Sequence, residues 1–121
     1  MNASDLKIVI ENKRGSYKKF ADSVSEYPLL GVTMPTDYGF IESYTGEDGD
    51  DLDAFVGSGT LFGILRVNRD DVPGGVETKI LLHVSEEEFE TIKTAYAPVI
   101  REMSYIDESF LCIFLDAFQK K

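Results

Sequence analysis

The sequence predicts an α+β fold that is mainly β: a small β-barrel or curled sheet with C-terminal helices packed on it. Three observations carry this. Up to about residue 85 short apolar segments alternate with Gly, Pro and Asp, and beyond it apolar residues recur at three- and four-residue spacing. The composition, 43% hydrophobic with 8 Phe and 6 Tyr, is that of a globular chain and not of a disordered one. At 121 residues the chain can bury one modest core, so residues 1–121 are expected to form a single domain.

Each element follows from local chemistry. Residues 7–11 are β-branched and short, which predicts a strand. Residues 13–19 hold Lys13, Arg14, Lys18 and Lys19; a solvated loop is the default there, and a patch for phosphate is the sharper alternative. Residues 31–34 are extended because Pro35 biases its neighbour towards β. Residues 38–41 and 52–56 predict two strands separated by an acidic loop, and 63–67 and 78–84 complete a set of about six. Between the last two, Val72-Pro73-Gly74-Gly75 is a turn. Ser85 predicts a helix N-cap, with Glu88 three residues on as the other half of a capping box. Phe89, Ile92, Tyr96 and Ile100 form one apolar stripe, kinked or interrupted at Pro98. A second helix is expected over about 107–119.

Charge narrows the function. Twelve Lys and Arg against 22 Asp and Glu give a net −10, which argues against nucleic acid, whose phosphates need a basic surface. A bare anion would also be repelled unless a metal ion or a basic patch intervened. No apolar run approaches the ~20 residues that cross a bilayer. Residues 1–5 lack the basic and apolar regions of a signal peptide, so a cytoplasmic protein is expected. Cys112 lies in an apolar run and is expected to be a buried small hydrophobe. His83, the single histidine, is expected to be a packed core or edge residue and is given no role.

Chemistry concentrates in Asp48-Gly49-Asp50-Asp51-Leu52-Asp53. Two carboxylates ~4 Å apart at an effective dielectric of 20 repel by about 4 kcal/mol. The side chains must splay into water, protonate, or bind a divalent cation. A solvated acidic hairpin is the competing reading on composition alone. An EF-hand is excluded because Leu52 takes the fifth place of the loop. Hard oxygen ligands suit magnesium or manganese better than zinc. If a strand follows, Asp48 and Asp50 share a face, and a turn at Gly49 would be needed to bring Asp53 beside them. Glu11 ends the first strand. Glu77 and Lys79, at i and i+2, share one strand face: exposed in the plain case, or lining one pocket with the acidic loop in the functional one.

Together and in order, these pieces resemble the soluble family I inorganic pyrophosphatases, from Ile8 to about Leu82. Ile10-Glu11, Gly15-Ser16 and Lys19-Phe20 are similar to the family's first strand and its substrate-binding lysine segment. Pro35-Thr36-Asp37-Tyr38-Gly39-Phe40-Ile41 is similar to its Tyr-Pro-x-Asn-Tyr-Gly-Phe/Tyr-Ile stretch. Asp48-Gly49-Asp50-Asp51-Leu52-Asp53 matches the aspartates of its Asp-Gly-Asp-Pro-Leu-Asp signature, and Glu77-Thr78-Lys79 resembles its Asp-x-Lys. The resemblance implies an OB-like five-stranded β-barrel with the acidic cluster in its mouth. It implies magnesium-dependent hydrolysis of inorganic pyrophosphate to two phosphates, with manganese as the alternative metal. Asp48, Asp53 and Glu77 would hold a first magnesium, Asp53 would be shared with a second, and Glu11 would be an outer ligand. Asp50 would be the general base for a metal-bound water, within reach of the metals itself. Lys19, Tyr38 and Lys79 would hold phosphate oxygens.

The chain departs from the family pattern where phosphate is clamped. Ala21 stands where the family has Glu, and no Arg lies between Arg14 and Arg66. Met34 replaces a Tyr, Asp51 a Pro and Glu77 an Asp, and a late Tyr-Lys pair is not reproduced by Lys93, Tyr96 and Arg101. The aspartate expected ahead of Glu77 is either Asp70 or Asp71. Arg14, Lys13, Lys18, Arg66 and Arg69 are candidate replacements for the lost cations, Arg14 and Lys18 first, and Lys18 exchanges roles with Lys19 if the register slips by one. Two alternatives stay open: a hydrolase of a larger phosphoanhydride such as a nucleotide, and a catalytically inactive binding or assembly module. Homo-oligomerisation is expected from apolar helix residues (Tyr96, Phe110, Ile113, Phe114), with pyrophosphate or another phosphoanhydride as the partner and neither nucleic acid nor membrane.

Overall fold

The computed structural model describes residues 2–19 and 31–120; Phe20 and Ala21 lie outside the described residues. Among the described residues eight strands and two helices succeed one another: β1 (Ile8–Asn12), β2 (Tyr17–Lys19), β3 (Gly31–Thr33), β4 (Asp37–Thr45), β5 (Asp51–Val56), β6 (Leu61–Asn68), β7 (Val76–Val84), α1 (Glu86–Tyr96), β8 (Ile100–Ile106) and α2 (Glu108–Leu115). The mainly β architecture with C-terminal helices is as the sequence predicts. Six strands form one sheet in the order β1-β4-β5-β7-β6-β8, and β2 pairs with β3 separately. The sheet is open, with β1 and β8 at its ends, so the five-stranded barrel holds only loosely. Both faces are covered by packed side chains instead of curling around an interior.

Alternation along the strands assigns the two faces. Leu52, Ala54, Ile80 and Leu82 point to one face and pack with Leu111 and Leu115 of α2. Tyr38, Phe55, Leu65, Val67 and Leu81 point to the other and pack with Phe89, Ile92 and Tyr96 of α1. The central parallel pair β5–β7, with Ala54 opposite Ile80 and Phe55 opposite Leu81, is buried from both sides. That double burial explains why β7 reads as an almost continuous apolar run. On the α1 face, Asp53 precedes Phe55 by two residues, and Glu77 and Lys79 precede Leu81 by four and two. These charges therefore continue the core face into a region that α1 does not cover.

Several boundaries differ from expectation. The stripe ending at Ile100 is helical only to Tyr96; a 3-10 turn carries Pro98, and Ile100 begins β8. Ile100 still packs against the α1 core, so it fits the apolar pattern from a strand. The basic segment around Lys18 is strand β2 and not wholly loop. Helix α2 is capped by Asp107, which accepts from Phe110 N–H at 2.7 Å, and a 3-10 turn follows it over Asp116–Phe118. Cys112 is half-buried, less enclosed than expected, and His83 is exposed with its ring against Phe62. Phe110 and Ile113 on the outer side of α2 are exposed. No helix among the described residues is long and apolar enough to cross a membrane.

Candidate active site

The uncovered part of the α1 face opens into a cleft of about 510 Å³. Its lining draws on β1 (Glu11), β2 (Lys18, Lys19), β4 (Tyr38, Phe40), the acidic loop and β5 (Asp48, Asp50, Asp51, Asp53), the end of β6 (Arg69), β7 (Glu77, Lys79) and α1 (Tyr96). All but one of the site residues expected from the sequence are therefore brought together. The exception is Arg14, which is exposed: its guanidinium lies 3.5 Å from Glu88 and not in the cleft. Lys13 is also outside the lining, and Arg66 pairs with Glu102 at 3.5 Å.

The acidic loop is shaped by local bonds. Gly49 adopts φ 85°, a conformation open to glycine without strain. Asp48 Oδ1 accepts from Asp50 N–H at 3.0 Å, closing a turn around the glycine. One residue earlier, the Glu47 carboxylate accepts from Thr78 N–H at 3.0 Å and from its hydroxyl at 2.6 Å. This bond ties the loop to β7 and sets Asp48 against Glu77. Asp48 and Asp50 lie in the turn before the strand, so of the three signature aspartates Asp53 is the one that faces the cleft by strand alternation, on the same face as Asp51. Asp51 is held by Lys120 at 2.9 Å, and Asp50 stays exposed at the rim.

The floor is a cluster of buried polar groups. Glu77 and Lys79 are each only 4% exposed. Lys79 Nζ donates to Tyr38 Oη at 2.6 Å and lies 3.3 Å from Asp53 Oδ2 and 2.9 Å from Glu77 Oε1. These contacts use all three ammonium donors. Tyr38 Oη in turn donates to Asp53 Oδ2 at 2.7 Å. Burial raises the Tyr38 phenol well above its usual value, against the pull of Lys79. Burial works against the Lys79 ammonium, but Tyr38, Asp53 and Glu77 outweigh it and raise its pKa well above the usual value. Burial likewise works against the Glu77 carboxylate, and Lys79 and Arg69 outweigh it and hold its pKa low. Asp48 goes the other way: burial and the nearby Glu77 and Asp53 raise it, against the N–H of Asp50.

Strand β2 settles which lysine turns inward. Lys18 is half-buried, with Nζ 5.5 Å from the Tyr38 ring centroid, while its neighbour Lys19 is exposed on the same cleft. Of the two aspartates ahead of Glu77, Asp70 is exposed and Asp71 is engaged by Arg69; neither lines the cleft. Three participants escaped individual notice in the sequence. Glu47 sits just before the acidic motif with no signal of its own. Tyr96 belongs to a helical stripe that reads as core, and it does fill the core while bordering the cleft. Arg69 was one cation among several, and its place follows from the β6–β7 hairpin, where its N–H donates to Gly75 O at 2.9 Å.

The model of the inorganic pyrophosphatase family matches residues 1–114. The chain belongs to the inorganic pyrophosphatase family. Hydrolysis of pyrophosphate is the general chemistry of that family, and the matched span includes every side chain of the cleft. The donor chemistry suits a hard dication, because the anionic groups offered are all carboxylates and, beyond burial, Glu77 and Asp53 raise the neighbouring Asp48 by like charge. A dication would relieve that like-charge contact. The side chains are not arranged as a finished ligand shell: no three acidic or histidine residues among the described ones converge on one point. Lys79 and Arg69 stand between the carboxylates instead.

Proposed function

We propose that this cleft hydrolyses inorganic pyrophosphate to two phosphates with magnesium, or manganese in its place. The observation that carries the reading is the gathering of Asp53, Glu77, Lys79 and Tyr38, from three strands, under the Asp48–Asp50 turn in one cleft. Asp48, Asp53 and Glu77 are the residues to hold the metal, with Glu11 and Asp50 further out. Magnesium, when bound, lowers the pKa of a bound water and draws charge from phosphoryl oxygens. Asp50, exposed at the rim, would accept the proton of the attacking water. Lys18 and Lys19 bring positive charge to a cleft with six acidic and four basic side chains, which lowers the repulsion a polyanion meets. Tyr38 and Lys79 hold Asp53 and Glu77 in place and keep positive charge beneath the substrate.

A larger phosphoanhydride is the second reading, favoured by the volume of the cleft, which is in the range that admits a nucleotide-sized ligand. One assay separates the readings. Phosphate release is measured from pyrophosphate and from nucleoside triphosphates, with magnesium and with chelator, for wild type and Asp50→Asn. The expected result is magnesium-dependent turnover of pyrophosphate that falls by roughly 10²–10⁴-fold in the variant. A preference for nucleotides would replace the substrate. Equal activity in both proteins, or none in either, would remove the hydrolase.

A further inference from the structure

Arg69 lies at the centre of the carboxylate cluster, although the resemblance gives it no part there. Its guanidinium forms a two-point fork with Asp71, through Nε at 3.0 Å and through Nη2. The Nη1 group donates to Glu77 Oε2 at 3.1 Å and lies 3.9 Å from Asp48 Oδ2. The Arg69 side chain is 21% exposed and the Glu77 side chain 5%. A turn-stabilising arginine would need only Asp71, which is exposed on the same hairpin. This one reaches past it to an enclosed carboxylate on β7 and to the acidic loop.

Glu77 consequently has both oxygens matched by resident cations, Oε1 by Lys79 and Oε2 by Arg69. Each oxygen keeps a second acceptor site, so a divalent ion can share Glu77 with them but meets their repulsion. Lys79 is enclosed by Tyr38, Asp53 and Glu77. Arg69 is anchored from outside by Asp71, and a bidentate fork of this kind does not open when a third contact is withdrawn. A guanidinium also cannot lose its charge to make room.

We propose that Arg69 is a resident cation that stands in for one divalent ion between Asp48 and Glu77, so that the cleft holds fewer ions than its carboxylates would otherwise take. This rests on the reading of the cleft as a magnesium site, but metal binding tests it without turnover. Manganese binding is measured by calorimetry and electron spin resonance for wild type, Arg69→Lys, Arg69→Gln and Asp71→Asn. Wild type and Arg69→Lys are expected to bind the same number of ions with like affinity. Arg69→Gln gains a further ion, or binds roughly tenfold tighter or more, as removal of a charge about 4 Å away implies. Asp71→Asn keeps the charge but releases its anchor, and moves in the same direction as Arg69→Gln by a smaller factor; it supplies the answer if Arg69→Gln does not fold. Identical binding in wild type, Arg69→Gln and Asp71→Asn overturns the proposal and leaves the magnesium reading standing. Absence of binding in all four overturns both.

Discussion

Lys79 and Glu77 stand two residues apart on β7, and each is nearly sealed from water. A buried ion pair is a poor source of net stability, but breaking one is costly because the partner is left charged and unsolvated. Lys79→Met removes the cation from between Glu77 Oε1 and Asp53 Oδ2, leaving Glu77 only Arg69 and Asp53 only the Tyr38 hydroxyl. We expect it to destabilise the fold by about 3–5 kcal/mol, read from urea unfolding. Adding Glu77→Gln to Lys79→Met should recover part of that loss; a double variant no more stable than the single would show that the pair is not the source. The i, i+2 spacing was enough to put these two side chains on one face. Which face, and with which neighbours, depends on the parallel partner β5, and nothing local to residues 77–79 encodes that.

Helix α1 was legible at its start and in its interruption at Pro98, but the strand that follows was not. Glu88 accepts from Ser85 N–H at 2.8 Å, as the capping box requires, and also from Ser58 N–H at 3.0 Å and the Ser58 hydroxyl at 3.1 Å. One carboxylate thus caps a helix and fastens the β5–β6 turn to it. A Cβ added at Gly57 would run into that carboxylate and the backbone of β7, which is why the turn carries glycine there. Burial would raise the Glu88 pKa, but the donors of Ser58 and Ser85 outweigh it and lower it from 4.5. A carboxylate with a depressed folded pKa stabilises above its unfolded pKa, and that contribution disappears as pH falls through the folded one. Glu88→Gln should therefore cost about 1–2 kcal/mol at neutral pH, the scale of a hydrogen bond to a charged group. Denaturation midpoints of the two proteins should converge as pH drops below 4.5. A gap that stays constant down to pH 3 would contradict this. The start of β8 escaped prediction because Ile100 meets the same core from a strand as it would from a helix. Strand β8, with burial scattered along it and not alternating, offers no period to find. Strand β2 is three residues long and turns only Lys18 inward, too little pattern to separate it from a loop.

At the scale of the molecule, the motifs spread between Glu11 and Lys79 meet because the sheet order is not the chain order. Strands β5 and β7 are neighbours with β6 on the outside, and this places Asp53 beside Lys79. Periodicity left that convergence as one of two alternatives for Glu77 and Lys79, and the resemblance to a family favoured it. It also concentrates charge: the chain carries −10 overall, and six of its carboxylates line one cleft. Self-repulsion of this kind weakens the folded state, and unfolding relieves it. Salt and magnesium are then expected to stabilise by different routes. Monovalent salt screens all exposed charges over about 10 Å at 0.1 M and should raise the melting temperature gradually. A dication held by the folded cleft adds a binding term, about 2.7 kcal/mol when its concentration is 100 times its dissociation constant. For a domain of this size that is a rise on the order of 10 °C. Magnesium should therefore exceed sodium chloride at matched ionic strength, and Asp48→Asn, which removes one carboxylate charge facing Glu77, should erase most of the excess while leaving the sodium response in place. Equal shifts from the two salts would mean that the carboxylates are only screened, and the proposed metal chemistry would have no ion to run on.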